Sequence, residues 1–159
     1  MNSLIDFEIK VPENFSMPAD VIEEQCSIIR SQTKSMVLAR VVEFRPEVVR
    51  TPHEGWFTFQ GNNTPFTYEF FITSKHTPNY KFRVLFLENP MVGYPVLLHI
   101  EPGIAEELKM DYQKPCKNEA EFLEILKSIL NSEKLQRVVN SLYAKSLKEE
   151  AMADADLPF

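Results

Sequence analysis

Glycine and cysteine are scarce in this sequence, and their scarcity excludes several common kinds of functional site. The 159 residues include four glycines and two cysteines. No glycine-rich loop of the kind that cradles phosphate groups is present. Cys26 lies in a helical pattern typical of a small buried hydrophobe, and Cys116 follows a proline without ligand-forming neighbours at metal-site spacing. We therefore predict no cofactor, no metal site and, in a reducing compartment, no disulfide bond.

Histidine is also rare, and none of the three histidines has the sequence context of a catalytic residue. His53 lies in a turn, His76 at a hairpin tip and His99 in a strand, and none forms a helical metal-binding pair or accompanies a nucleophile motif. His53 and Glu54 could act as a base and its orienting carboxylate, but adjacent extended side chains point apart. We predict no catalytic residues and no enzymatic activity. An enzyme with a pocket around His53 or His99 is the least favoured alternative.

Long hydrophobic runs are missing as well. The longest are short, such as Val96–Leu98, whereas a membrane span needs about 20 apolar residues. The first residues lack the basic and apolar regions of a signal peptide. These features predict a cytoplasmic protein without a membrane partner. A hydrophobic content of 44% and a charged content of 25% are typical of one globular domain with a sizeable core.

Negative charge is concentrated near the C-terminal end of the sequence. The net charge is −6, and four acidic residues without a base lie within residues 149–159: Glu149, Glu150, Asp154 and Asp156. The preceding 148 residues therefore carry a net charge of only −2. This acidic balance argues against non-specific binding to duplex DNA, but it leaves room for a local basic surface.

The hydrophobic periodicity predicts an α+β fold, in which helices from both ends pack on one face of an antiparallel sheet of four to five strands. A helix is expected over Pro18–Thr33, with proline in its first turn. A loop is expected over Ser74–Asn79, and Pro102-Gly103 should end the last strand. The predicted strands are Ile5–Val11, Met36–Phe44, Trp56–Gln60, Phe66–Thr73, Tyr80–Leu87 and Tyr94–Ile100.

The C-terminal third of the chain is predicted to be helical. Asn118 and Glu121 have the spacing of a capping box, and an apolar stripe follows them. A break at Asn131-Ser132 would leave two helices in series, whereas its absence would leave one long helix. Helical periodicity ends near Leu147. We therefore predict a single domain over residues 1–147 and a mobile acidic tail over residues 148–159.

Strand alternation predicts a basic and aromatic surface on the sheet. Lys81 and Arg83 should point away from the core, whereas Tyr80, Phe82, Val84 and Phe86 should point together to the opposite side. Proteins that bind single strands combine cations for phosphates with exposed rings for bases. Strand aromatics are nevertheless mostly core, and alternating cations mostly form a solvated face. The candidate nucleic-acid-binding residues are Arg40, Phe44, Trp56, Phe71, Lys81 and Arg83.

The last six residues, Asp154-Ala155-Asp156-Leu157-Pro158-Phe159, resemble the C-terminal tip of bacterial single-stranded-DNA-binding proteins. That tip ends in a few aspartates followed by Ile or Leu, Pro and Phe. In the family it recruits replication and repair enzymes, so the resemblance implies a partner-binding role for Asp154, Asp156, Leu157, Pro158 and Phe159. The resemblance covers only these residues. The rest of the chain lacks the family's long linker and its glycine-containing barrel.

The chemistry of such a tip can be derived from its residues. The Phe159 ring can fill an apolar pocket while an arginine of the partner binds the α-carboxylate. Pro158 stiffens the segment and lowers the entropic cost of ordering it. Asp154 and Asp156 would steer the tip towards a basic surface.

Together these features lead to two main hypotheses. The first is a single-stranded-DNA-binding or DNA replication and repair accessory protein, of the kind carried by phages or mobile elements, whose tip recruits genome-maintenance partners. The alternative is a protein-binding module without nucleic-acid binding, such as an inhibitor, an immunity protein or a chaperone-like protein. Self-association into a homo-oligomer is compatible with either hypothesis.

Overall fold

The computed structural model of the protein describes residues 3–11, 16–43 and 66–155. The elements in these ranges confirm the predicted α+β fold. In chain order they are α1 (Pro18–Gln32), β1 (Val37–Glu43), β2 (Phe66–Ser74), β3 (Thr77–Asn89), β4 (Val96–Ile100), α2 (Pro102–Glu107), β5 (Gln113–Cys116), α3 (Glu119–Leu130) and α4 (Glu133–Ala155).

The five strands form one sheet in the order β1-β2-β3-β4-β5, and every neighbouring pair is antiparallel. One face of this sheet is apolar and supports the helices, because alternate side chains of each strand point to it. All four helices contribute to this core, and its largest side chains are Ile22, Phe70, Ile72, Leu85, Leu87, Leu98, Ile100, Ile104, Phe122, Ile129 and Leu135.

Two strand predictions have different outcomes. Ile5–Val11 belongs to no strand, so that prediction is wrong. The alternating pattern is present, but a strand also requires a neighbour for its backbone N–H and C=O groups, and no described residue supplies one. The predicted strand Trp56–Gln60 lies outside the described residues.

The connection between β2 and β3 is shorter than predicted. Ser74 pairs with Thr77, which leaves a turn of two residues instead of a loop over Ser74–Asn79. The Ser74 hydroxyl accepts a hydrogen bond from the His76 N–H at 3.3 Å. Pro78 is tolerated in β3 because the strand pairing shifts register between Ile72 and Ser74, so its missing N–H breaks no regular ladder.

Pro102-Gly103 starts a helix instead of simply ending a strand. The Glu101 carboxylate accepts a hydrogen bond from the Ile104 N–H at 2.9 Å, and proline is favoured in the first turn. Helix α2 then leads to the short edge strand β5, which the hydrophobic pattern did not predict. β5 contains Pro115, which is compatible with an edge position because one side of an edge strand needs no N–H donor.

The predicted N-cap of α3 is confirmed, and of the two alternatives left open, the chain forms two helices in series. Asn118 accepts a hydrogen bond from the Glu121 N–H at 2.9 Å. The Glu121 carboxylate does not return to Asn118, as a complete capping box requires, but accepts from the Lys117 N–H at 2.7 Å. α3 ends at Leu130 and α4 begins at Glu133.

The prediction that helical structure ends near Leu147 is wrong, because α4 continues to Ala155. Contacts with the β2–β3 turn hold the last turns of this helix. The Ser74 and Ser146 hydroxyls are buried and lie 2.9 Å apart. Glu150 Oε1 lies 3.0 Å from both Lys75 Nζ and His76 Nε2. Residues 148–155 are therefore helical, and residues 156–159 lie outside the described residues.

The buried Ser74–Ser146 hydrogen bond should stabilise the fold. Ser146→Ala should lower the free energy of unfolding by about 1–2 kcal/mol, because it removes one partner of a buried pair. Urea denaturation measures this change, and Ser141→Ala is the matched control because Ser141 is an exposed serine of the same helix. In a double-mutant cycle with Ser74→Ala, additive effects would contradict a direct interaction.

Candidate nucleic-acid interface

Four of the six predicted nucleic-acid-binding residues come together on the sheet face opposite the core. Phe71 of β2 lies between Arg40 of β1 and Arg83 of β3 in the strand register. The ammonium group of Lys81 lies 4.3 Å from the centroid of the Phe71 ring, a cation–π contact. We refer to Arg40, Phe71, Lys81 and Arg83 as the Phe71 cluster.

The other two predicted residues, Phe44 and Trp56, lie outside the described residues. Their position relative to the Phe71 cluster therefore stays a prediction. Within the cluster, Arg40 and Lys81 are exposed, whereas Phe71 and Arg83 are half-buried. The cluster is thus a surface feature, with cations on the strands at both sides of the ring.

A β-bulge in β3 determines the composition of this cluster. Phe70 pairs with Leu85 but Phe71 pairs with Arg83, so Val84 is an extra residue on β3. Before the bulge, Lys81 and Arg83 point away from the core; after it, Phe86 and Glu88 point to that same side. The prediction that Val84 and Phe86 share the side of Phe82 therefore fails at Phe86.

The sequence analysis did not include Glu69 among the candidate residues, although this acidic residue pairs with two cations of the cluster. Glu69 precedes Phe71 by two residues on β2 and therefore points to the same face. Its buried carboxylate pairs with Lys81 and lies 3.5 Å from Arg83 Nε. The sequence shows that Glu69 and Phe71 are two residues apart and so share a face. The pairing of Glu69 with Lys81 and Arg83 of β3 depends on the bulge. With three cations and this carboxylate, the group has a net charge of +2.

The same sheet face continues beyond the bulge as a buried polar region. His99 Nε2 lies 2.5 Å from Glu88 Oε2, and both side chains are buried. Phe86, opposite His99 on the neighbouring strand, is buried too. A histidine–carboxylate pair can transfer protons, but a substrate would have to reach it, and His99 is 0% exposed. This geometry gives no support to the enzyme alternative at His99.

The two cysteines are buried, and the environment of each disfavours the reactive thiolate form. Burial, together with a smaller effect of Glu23, raises the pKa of the Cys26 thiol to about 12. Burial likewise raises the pKa of Cys116 to about 11. Both thiols are free and stay protonated at neutral pH, and the thiol is the unreactive form. Residues 3–11, 16–43 and 66–155 contain no group of three metal-ligating side chains with suitable geometry.

The predicted partner-binding residues belong to the last turn of α4 and to the four residues that follow this helix in the sequence. Asp154 lies exposed in the last helical turn, and Asp156, Leu157, Pro158 and Phe159 lie outside the described residues. One turn earlier, hydrogen bonds from Lys75 and His76 lower the pKa of Glu150. The ionised Glu150 therefore ties the helix end to the β2–β3 turn at neutral pH.

No protein-family model, curated protein or solved structure matches this chain. Among the described residues, no helix combines the length and the apolar character that crossing a bilayer requires. The functional argument therefore depends on the chemistry of the residues themselves.

Proposed function

We propose that the protein is a single-stranded-DNA-binding or DNA replication and repair accessory protein. In this proposal the Phe71 cluster contacts the single strand. The residues Asp154, Asp156, Leu157, Pro158 and Phe159 recruit genome-maintenance partners. The observation that carries the proposal is the arrangement of Arg40, Lys81 and Arg83 around the ring of Phe71 on three adjacent strands.

The cluster combines the two interactions that single-strand binding needs. A base can stack on the ring of Phe71, and such stacking is tolerant of sequence because every base has a π face. Arg40 and Arg83 flank the ring from the neighbouring strands, so phosphates on either side of a stacked base would meet a cation. Lys81 covers part of the ring and would move aside or contact the backbone of the strand.

Local charge favours this surface although the whole protein is acidic. The cluster with Glu69 carries +2, whereas the complete chain carries −6. Exposed cations separated from the remaining charge by more than a Debye length of about 8 Å are largely screened from it at physiological salt. The Glu69 carboxylate opposes phosphate binding because it already neutralises part of the charge of Lys81 and Arg83.

Replacement of the central ring should weaken binding to a single strand. We expect Phe71→Leu to reduce the affinity for labelled oligo-dT by roughly 5- to 150-fold, because stacking contributes about 1–3 kcal/mol per base. Fluorescence anisotropy across a salt series measures the affinity. Tyr80→Leu is the matched control, since Tyr80 is an exposed aromatic residue of the neighbouring strand β3 outside the cluster. Equal losses for both variants, or no binding by the wild type, would contradict the proposal and favour a protein-binding module.

Removal of the opposing carboxylate should have the reverse effect. Glu69→Gln removes the carboxylate that neutralises part of the charge of Lys81 and Arg83, so we expect tighter oligo-dT binding. The dependence of log affinity on log salt should be steeper by about 0.7 for each additional phosphate contact. Glu43→Gln is the control, because it removes the same charge from the exposed end of β1. If both variants gain affinity equally, net charge alone explains the effect and the cluster has no specific role.

The proposed recruitment function is tested by removing Leu157–Phe159. This deletion should abolish the capture of replication and repair proteins from a bacterial extract, because the apolar anchor is lost. The thermal unfolding transition should not change. Captured proteins are identified by mass spectrometry, and an excess of a peptide of residues 151–159 should release them from the full chain. Unchanged capture, or unfolding caused by the deletion, would contradict the role of these residues.

A further inference from the structure

Lys81 covers the ring on which the proposed function places a base. Its ammonium group lies 4.3 Å from the centroid of the Phe71 ring, within the range of a cation–π contact. The same ammonium group pairs with the carboxylate of Glu69, whose side chain is only 6% exposed. In the free protein Lys81 therefore makes two contacts at once, one with an aromatic ring and one with a buried anion.

The strand register explains why one lysine reaches both groups. Phe71 pairs with Arg83, and Lys81 precedes Arg83 by two residues, so both cations lie on the same face of β3. Glu69 precedes Phe71 by two residues and lies on that same face of β2. Because the strands are antiparallel, the side chain of Lys81 crosses the ring of Phe71 diagonally on its way to Glu69.

The ammonium group and a stacked base exclude each other on this face of the ring, because both need contact with the same π system. Phe71 is half-buried, which limits the part of its ring that a base can reach. If Lys81 leaves the ring and Glu69, it loses two favourable contacts unless another anion is near. The Lys81 side chain is 37% exposed, so a phosphate from solution can approach it.

A nucleotide chain supplies both groups that this exchange needs. Its base replaces the ammonium group on the ring, and its phosphate replaces the ring and Glu69 as the partner of Lys81 through a charge-assisted contact. Glu69 does not lose every cation, because its carboxylate also lies 3.5 Å from Arg83 Nε. A base without a phosphate would displace the ammonium group without compensation, and a phosphate without a base would leave the ring uncovered.

We propose that the Phe71 cluster is selective for nucleotide units that present an unpaired base and a phosphate together, and that Lys81 sets this requirement by exchanging the Phe71 ring for the phosphate. This inference rests on the proposed function, because it concerns the ligand of the same surface. Free nucleosides, abasic strands and duplex DNA each lack one of the two groups in accessible form. Lys81 is thereby a specificity-determining residue and not only one of three cations.

The salt dependence of binding tests the exchange, because its slope counts phosphate contacts. Fluorescence anisotropy compares oligo-dT with an abasic deoxyribose-phosphate strand of the same length, which has the same phosphates and no bases. For the wild type, the plot of log affinity against log salt should be steeper for oligo-dT by about 0.7, the slope of one phosphate contact. The reason is that Lys81 contacts a phosphate only when a base occupies the ring.

Two variants assign this difference to Lys81. Lys81→Thr, with a residue that suits a strand, should give equal slopes for the two strands. Arg40→Thr is the matched control, because Arg40 also lies beside Phe71 but the ammonium group over the ring belongs to Lys81, so the difference of about 0.7 should remain. Circular dichroism checks folding. If Lys81→Thr unfolds because Glu69 loses a partner, Lys81→Thr/Glu69→Gln replaces it, with Glu69→Gln as the reference.

Proton NMR of the Lys81 side chain follows the exchange directly. The ring current of Phe71 should shift the ε-methylene protons of Lys81 upfield in the free protein, and the signal is assigned by its loss in Lys81→Thr. Oligo-dT should abolish this upfield shift. Thymidine and the abasic strand should leave it unchanged, because each supplies only one of the two groups.

The outcomes separate this inference from the proposed function. If the wild type does not bind oligo-dT, both are overturned. If it binds oligo-dT and the abasic strand with equal slopes, single-strand binding stands and the exchange is overturned, because Lys81 would then contact phosphate with or without a base. A slope difference that survives Lys81→Thr, or an upfield shift that the abasic strand also removes, would likewise overturn the exchange alone.

Discussion

The register between β2 and β3 is the constraint on which both faces of the sheet depend. These two central strands carry core residues on one side and the Phe71 cluster on the other. A single extra residue, Val84, changes which side chains of β3 face the core. Because side chains alternate with a period of two, this bulge places Lys81 and Arg83 beside Phe71 and still buries Leu85 and Leu87. The outer face therefore has an exposed cationic part and a buried part that holds the His99–Glu88 pair. Both parts depend on the bulge at Val84.

The two edges of the sheet are treated differently by the surrounding helices. At β1, Arg30 of α1 and the following residue Thr33 bind backbone groups of the strand, and Arg30 is in turn held by Glu23. At β5, α2 and α3 leave a groove lined by both apolar and charged side chains, beside an edge strand that contains Pro115. An unpaired edge is a hazard unless it is covered or used.

The C-terminal residues present their motif in an unusual context. In the family that they resemble, the tip follows a long linker, whereas here residues up to Ala155 belong to a helix that is tied to the β2–β3 turn. The same turn connects the two strands that carry most of the Phe71 cluster.

The sequence alone determined the elements whose signals are local. Helices α1, α3 and α4, the α3 cap at Asn118 and the strands β1 to β4 follow from periodicity and capping chemistry. Four cluster residues on one face follow from alternation. Tertiary structure decided the rest. The bulge at Val84, the ion pairs of Glu69 and the helical extension to Ala155 depend on contacts between distant segments. The segment Ile5–Val11 has the pattern of a strand but no described partner, because a strand exists only where another backbone satisfies its hydrogen bonds.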